Sequence, residues 1–108
     1  MTAVLEEYIM TLEINSKQRA YLRSMCNTLP AILYIGKEGI TEGTVKEAWD
    51  ALEARELIKC SVQREAPLSA REACQELCEK VHAAPVQCIG GKFSIYRPRR
   101  KDPTIELP

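Results

Sequence analysis

The chain has 108 residues with fifteen acidic and fifteen basic side chains, so it is formally neutral and is no supercharged nucleic-acid binder. Apolar residues make up 45% of it, enough for one domain with a modest core and too much for wholesale disorder. No apolar run approaches the roughly 18 residues of a membrane span, and the first fifteen residues carry three glutamates but no Lys or Arg, unlike a secretory signal. A cytoplasmic protein without membrane contact is therefore expected.

Residues 1–15 read as an acidic N-terminal extension, with Val4, Leu5, Tyr8, Ile9 and Leu12 spaced for one or two helical turns. From Ser16 onward fifteen basic residues face twelve acidic ones, a net charge of +3. Ser16 predicts an N-cap for a helix from Lys17 to about Asn27. Its apolar stripe is Leu22, Met25, Cys26 and Leu29, which leaves Lys17, Arg19 and Arg23 outside. Leu29-Pro30 breaks that helix. Ala31 to Ile35 follows as a strand whose unbroken apolar run predicts burial on both faces.

Thr41 caps the second helix, which runs to about Glu56 with Ile40, Val45, Ala48, Trp49 and Leu52 inward. Leu57 to Val62 is the second strand, and Gln63 to Leu68 is a polar connection. Ser69 with Glu72 forms a capping box that opens the third helix, running to about His82 with Ala73, Cys74, Leu77 and Val81 inward. Val86 to Ile89 and Phe93 to Tyr96 are strands joined by the hairpin signal Gly90-Gly91. Residues 98–108 read as an exposed basic tail, kept extended by Pro98 and Pro103. The order α-β-α-β-α-β-β implies an α/β two-layer sandwich with a four-stranded mixed sheet.

Chemistry concentrates in one short loop, Gly36-Lys37-Glu38-Gly39, between the first strand and the second helix. Glycine lets a backbone approach a ligand closely. The helix start behind the loop supplies unpaired N–H groups and partial positive charge, and Lys37 adds a mobile cation. Strand, Gly-x-x-Gly and helix together can hold a phosphate backbone. The five cysteines include no Cys-x-x-Cys pair, and Cys74, Cys78 and His82 on one helix cannot close around a tetrahedral metal unaided. They are expected as free thiols and a lone histidine, with no metal and no cofactor. No nucleophile–base pair or carboxylate pair stands out, so an enzyme is not expected.

Three separated motifs, in order, carry a resemblance. They are Leu33-Tyr34-Ile35-Gly36-Lys37-Glu38-Gly39-Ile40-Thr41-Glu42-Gly43, Ala51 to Lys59, and Val86 to Gly90 with Tyr96-Arg97-Pro98. Over about Ser16 to Pro108 the chain resembles the CRM-domain family, the chloroplast RNA splicing and ribosome maturation domain, in its stand-alone bacterial YhbY-like form. The resemblance implies a fold similar to the C-terminal domain of bacterial translation initiation factor 3, an RNA-binding domain over residues 16–97, and association with precursors of the large ribosomal subunit. It implies ribosomal RNA as partner, no small-molecule substrate, and a monomer. The family's glycine loop maps onto Gly36, Lys37, Glu38 and Gly39. Glu38 departs from the neutral residue more usual there and weakens phosphate contact. Thr41, Lys17, Arg19, Arg23, Lys92, Arg97, Arg99, Arg100 and Lys101 complete the expected RNA-binding set. A small protein–protein adaptor without RNA binding is the alternative, and salt-sensitive RNA retention separates the two.

Overall fold

The computed structural model describes residues 13–108. The helical turns expected from Val4 to Leu12 lie outside the described residues. Helix α1 spans Ser16–Cys26, one residue out of step with the expected cap. Asn15 is the cap: its Oδ1 accepts the Gln18 N–H at 2.8 Å, and Gln18 Oε1 accepts the Asn15 N–H at 3.1 Å. Ser16 could cap as well, but the residue three beyond it is Arg19, which has no acceptor to return the bond. Helices α2 (Glu42–Arg55) and α3 (Ala70–Val81) begin at reciprocal capping pairs, Thr41 with Thr44 and Ser69 with Glu72.

The strands are β1 (Ala31–Ile35), β2 (Leu57–Val62), β3 (Ala84–Ile89) and β4 (Lys92–Tyr96), in the sheet order β1-β2-β4-β3. β1 and β2 are parallel, joined through α2, while β4 runs antiparallel to both its neighbours. Strand β3 starts two residues before the expected Val86 and takes in Pro85. An edge strand tolerates a residue with no N–H, and the register shifts just beyond it, between Pro85 and Gln87.

Helices α2 and α3 cover one face of the sheet. Leu52 and Leu77 meet Leu33, Ile35, Ile58, Cys60, Phe93 and Ile95 there. Cys26, Cys60, Cys74 and Cys78 are buried and Cys88 is exposed. Burial, with the nearby Cys74 and Glu47, pushes the Cys60 thiol up to about 12. On the other face, α1 packs through Leu22 and Cys26 onto Leu57, Val86 and Tyr96, and Ile105 and Leu107 lie against the same cluster. The cover stops short of β1, so burial of that strand on both faces does not occur: Tyr34 is 59% exposed.

The segment after β4 is exposed along most of its length, as its charge suggests, but it is tied down rather than free. Its anchor is Glu56, the residue that ends α2. Glu56 has a positive φ of 67°, a conformation costing of order 1–3 kcal/mol for a residue with a β-carbon. Its N–H donates to the Leu52 carbonyl at 2.8 Å, and its own carbonyl accepts the Arg97 N–H at 2.9 Å. The side chain is fully buried. One carboxylate oxygen accepts the Thr104 N–H, the Thr104 hydroxyl and the Ile105 N–H at 2.8, 2.6 and 3.0 Å; the other accepts the Arg99 N–H at 3.0 Å. The last eleven residues are thereby strapped back onto the domain, and the Pro108 carbonyl accepts a bond from Gln18 Nε2 at 3.3 Å.

Burial alone raises the Glu56 pKa, but the bonds from Thr104, Arg99 and Ile105 outweigh it and hold the carboxyl below its ordinary 4.5. A depressed folded pKa gives stability that is complete above the unfolded value and lost as pH falls through the folded one. Glu56→Gln should therefore destabilise the protein by about 2 kcal/mol at neutral pH. Urea denaturation across a pH series should show this gap at full size above about pH 5 and shrinking in more acid solution.

Candidate nucleic-acid interface

The glycine loop is built as a tight turn. The Gly39 N–H donates to the Gly36 carbonyl at 2.9 Å, which leaves Lys37 and Glu38 exposed at the tip. Gly39 has φ 70°, and a β-carbon there would lie 3.3 Å from Pro67 Cγ. Backbone conformation and close packing thus both require glycine. Across the turn Gln63 donates its N–H to the Ile35 carbonyl at 2.8 Å, tying the base of the loop to the end of β2.

Behind the loop, the Thr44 N–H is taken by Thr41 Oγ1 at 3.2 Å. Thr41 is therefore engaged in capping. The Glu42 and Gly43 amides, first in the helix, have no partner among the described residues and lie where an anion would meet them. An open cleft of about 640 Å³ beside the loop is lined by Tyr34, Gly36, Lys37, Glu38, Thr41, Thr44, Gln63 and Glu65. Among the described residues Lys37 is the single cation in that lining, set against Glu38 and Glu65, so the charged side chains of the cleft sum to −1.

The remaining expected residues do not form one surface. Lys17 and Arg23 are exposed on α1, whereas Arg19 donates through Nε to the Pro85 carbonyl at 3.1 Å and pins α1 to β3. Lys92 is exposed at the start of β4. The C-terminal cations lie along the second half of α2, against Trp49, Glu53 and Ala54, about 12–20 Å from Thr41 at ~1.5 Å of helix rise per residue.

Arg97 is removed from the set. It is 0% exposed. Its Nη1 donates to the Val81 carbonyl at 3.0 Å, its Nη2 to Glu53 Oε2 at 2.5 Å, and its guanidinium lies 4.0 Å from the Trp49 ring centroid. Its side chain is spent on tying α2, α3 and β4 together. The alternation of β4 carries the signal that was missed: Phe93 and Ile95 face the core, and Arg97 is next in that phase. Arg99 is half-buried, its Nη2 on the Ala54 carbonyl at 3.1 Å. Arg100 and Lys101 are exposed, with the Arg100 guanidinium 4.9 Å from the Trp49 centroid. Trp49 is thus half-buried between cations rather than wholly in the core.

His82 caps the end of α3 in the left-handed region, φ 58°, with its ring edge-on to Trp49 at 6.5 Å between centroids. Burial, then the charges of Arg97 and Arg100, hold its pKa below the ordinary 6.5. Among the described residues no three His, Cys, Asp or Glu side chains are grouped to hold a metal ion.

Comparison with known proteins agrees with this architecture. The CRS1 / YhbY (CRM) domain matches residues 14–97, and the chain belongs to that family. It is 34% identical over 95 residues to the "Probable RNA-binding protein YqeI" of Bacillus subtilis, covering 88% of this chain and 99% of that one. An "RNA-binding protein" of Haemophilus influenzae is 30% identical over 95 residues, 88% of this chain and 95% of its own length. The solution structure of SAV1595 from Staphylococcus aureus, a candidate RNA-binding protein, superposes with a TM-score of 0.75 at 38% identity, over 89% of this chain and all of that one.

Arg97 and Arg100 separate structural from surface cations. Removing one partner of a buried ion pair costs about 3–5 kcal/mol, and Glu53, whose side chain is 32% exposed, moves Arg97→Ala to the low end of that range. Arg100→Ala should change stability by no more than about 0.5 kcal/mol. Chemical denaturation of the two variants measures both.

Proposed function

We propose that this protein is a non-enzymatic RNA-binding factor that associates with precursors of the large ribosomal subunit in the cytoplasm. It acts as a monomer, with the Gly36–Gly39 loop on the RNA phosphate backbone. The observation that carries the reading is the loop itself. It is a glycine-bounded turn with a lysine at its tip and two unpartnered helix amides behind it, in a family whose relatives are named as RNA-binding proteins. The family resemblance supplies the ribosomal partner.

The net negative lining of the cleft supports binding guided by RNA shape and by the loop and helix amides more than by electrostatic strength. Phosphate contacts position a protein without reading sequence, and they weaken as salt rises. Ribosomal RNA inside a particle offers a fixed arrangement of phosphates that compensates for few cations.

The two residues at the tip should act with opposite sign. Lys37→Ala should weaken binding to a structured ribosomal RNA fragment by about 1 kcal/mol, and Glu38→Gln should tighten it, with both variants folded as judged by thermal unfolding. Sedimentation of a cell extract should place the protein with large-subunit precursors, and Lys37→Ala should shift it toward the top of the gradient. RNA affinity that ignores both substitutions would remove the loop from the interface. Failure to bind RNA even at low salt would favour an adaptor role.

A further inference from the structure

Tyr34 belongs to two surfaces, only one of which is the loop cleft. Strand alternation sends Leu33 and Ile35 into the core and turns Tyr34 to the opposite face. The register sets Tyr34 of β1 beside Ser61 of β2, Ser61 beside Lys92 of β4, and Lys92 beside Ile89 of β3. This row crosses the whole sheet, about 14 Å at ~4.8 Å per strand. Helix α1 and the C-terminal strap cover the other end of the face, around Leu57, Val86 and Tyr96, and among the described residues the row is left open. Ile89 is 66% exposed.

The Tyr34 hydroxyl donates to the Ala31 carbonyl at 3.0 Å, which ties the ring along its own strand. A ring held in this way offers a stacking surface with little rotamer freedom left to lose. Further across the same face, over β2, β4 and β3, runs a groove of about 210 Å³ whose lining includes Asn27, Lys59, Gln87, Ile89, Lys92 and Ser94. Among the described residues the groove has two cations, two side-chain amides and no carboxylate, whereas the loop cleft sets one lysine against two glutamates. The stronger attraction for a polyanion therefore lies on the sheet face.

We infer that this open sheet face binds unpaired RNA, with a base stacked on Tyr34 and the phosphates passing Lys59 and Lys92 toward the glycine loop at the end of β1. Charge complementarity selects a polyanion, and the tyrosine and the two amides select one with unstacked bases. A duplex, whose bases are already stacked and paired, has no base to offer Tyr34. The inference rests on the RNA-binding reading above and deepens it by naming the class of RNA taken at this surface.

The test compares full-length protein and variants on a short labelled unpaired oligoribonucleotide and on an RNA duplex of equal length. Tyr34→Ala should weaken the single strand about tenfold and leave the duplex unchanged, while Tyr34→Phe, which keeps the ring but not its tie to Ala31, should lose less than Tyr34→Ala. Lys59→Gln combined with Lys92→Gln should lower the salt slope for the single strand by about 1.4, at ~0.7 per phosphate contact. Thermal unfolding of Tyr34→Ala alongside the native protein shows whether the edge strand is intact in the variant that carries the test. If Tyr34→Ala binds the single strand normally while Lys37→Ala weakens both probes, the sheet face is overturned and the loop reading stands. If the native protein binds neither probe at low salt, both readings fall. If Tyr34→Ala alters only the sedimentation of the free protein, the face meets a second copy of the chain and the inference is overturned.

Discussion

The buried carboxylate of Glu56 is the constraint on which the rest of the structure depends. An uncompensated carboxylate in this position would cost several kcal/mol. Four donors from residues 99–105 converge on it, so the chain beyond β4 must return to the end of α2. The same residue adopts a positive φ to turn the chain from α2 into β2. Glycine would meet that conformation at less strain, but glycine has no carboxylate to hold the strap. The strap in turn seats Ile105 and Leu107 against the cluster under α1. One side chain thereby couples a helix end, a strand start and the C-terminal segment.

Arg97 and Trp49 extend this node across the domain. The guanidinium is shared between the end of α3, the last turn of α2 and the Trp49 ring. Cations that crowd together in sequence are therefore divided in space, with Arg97 inside and Arg99 half-inside. The end we propose for RNA is the other one, where β1 runs into the glycine loop. α2 acts as the rigid spacer between the two, closed at one end by Thr41 and Thr44 and at the other by Glu56. The anchoring strain is thus kept away from the loop, whose own geometry depends on Gly39 and Pro67.

Much of this is legible in the sequence because it is local. The Ser69–Glu72 and Thr41 helix starts, the β1 and β2 limits and the turn at Gly90-Gly91 follow from neighbours a few residues apart. What escapes local reading is set by partners far along the chain. Arg97 meets Glu53 across 44 positions, and a run of Arg and Lys ordinarily marks a solvated face. Only its phase behind Phe93 and Ile95 hints otherwise. Tyr34 sits in an unbroken apolar run that suggests a central strand, but β1 lies at the sheet edge, and strand order is not written in any local pattern. The shift of the first cap from Ser16 to Asn15 is decided by which residue three positions on can return a bond, a detail that was available and decisive.

Amide chemical-shift mapping of the isotopically labelled protein, titrated with an unpaired ribosomal RNA fragment, tests the division of the molecule into a binding end and an anchoring end. Changes should concentrate at Gly36 to Gly39, Tyr34, Lys59 and Lys92, with the Arg97 side-chain Nε–H and the Thr104 and Ile105 amides unmoved. Changes centred on Arg97, Thr104 and Ile105, with the loop and the sheet face silent, would contradict that division.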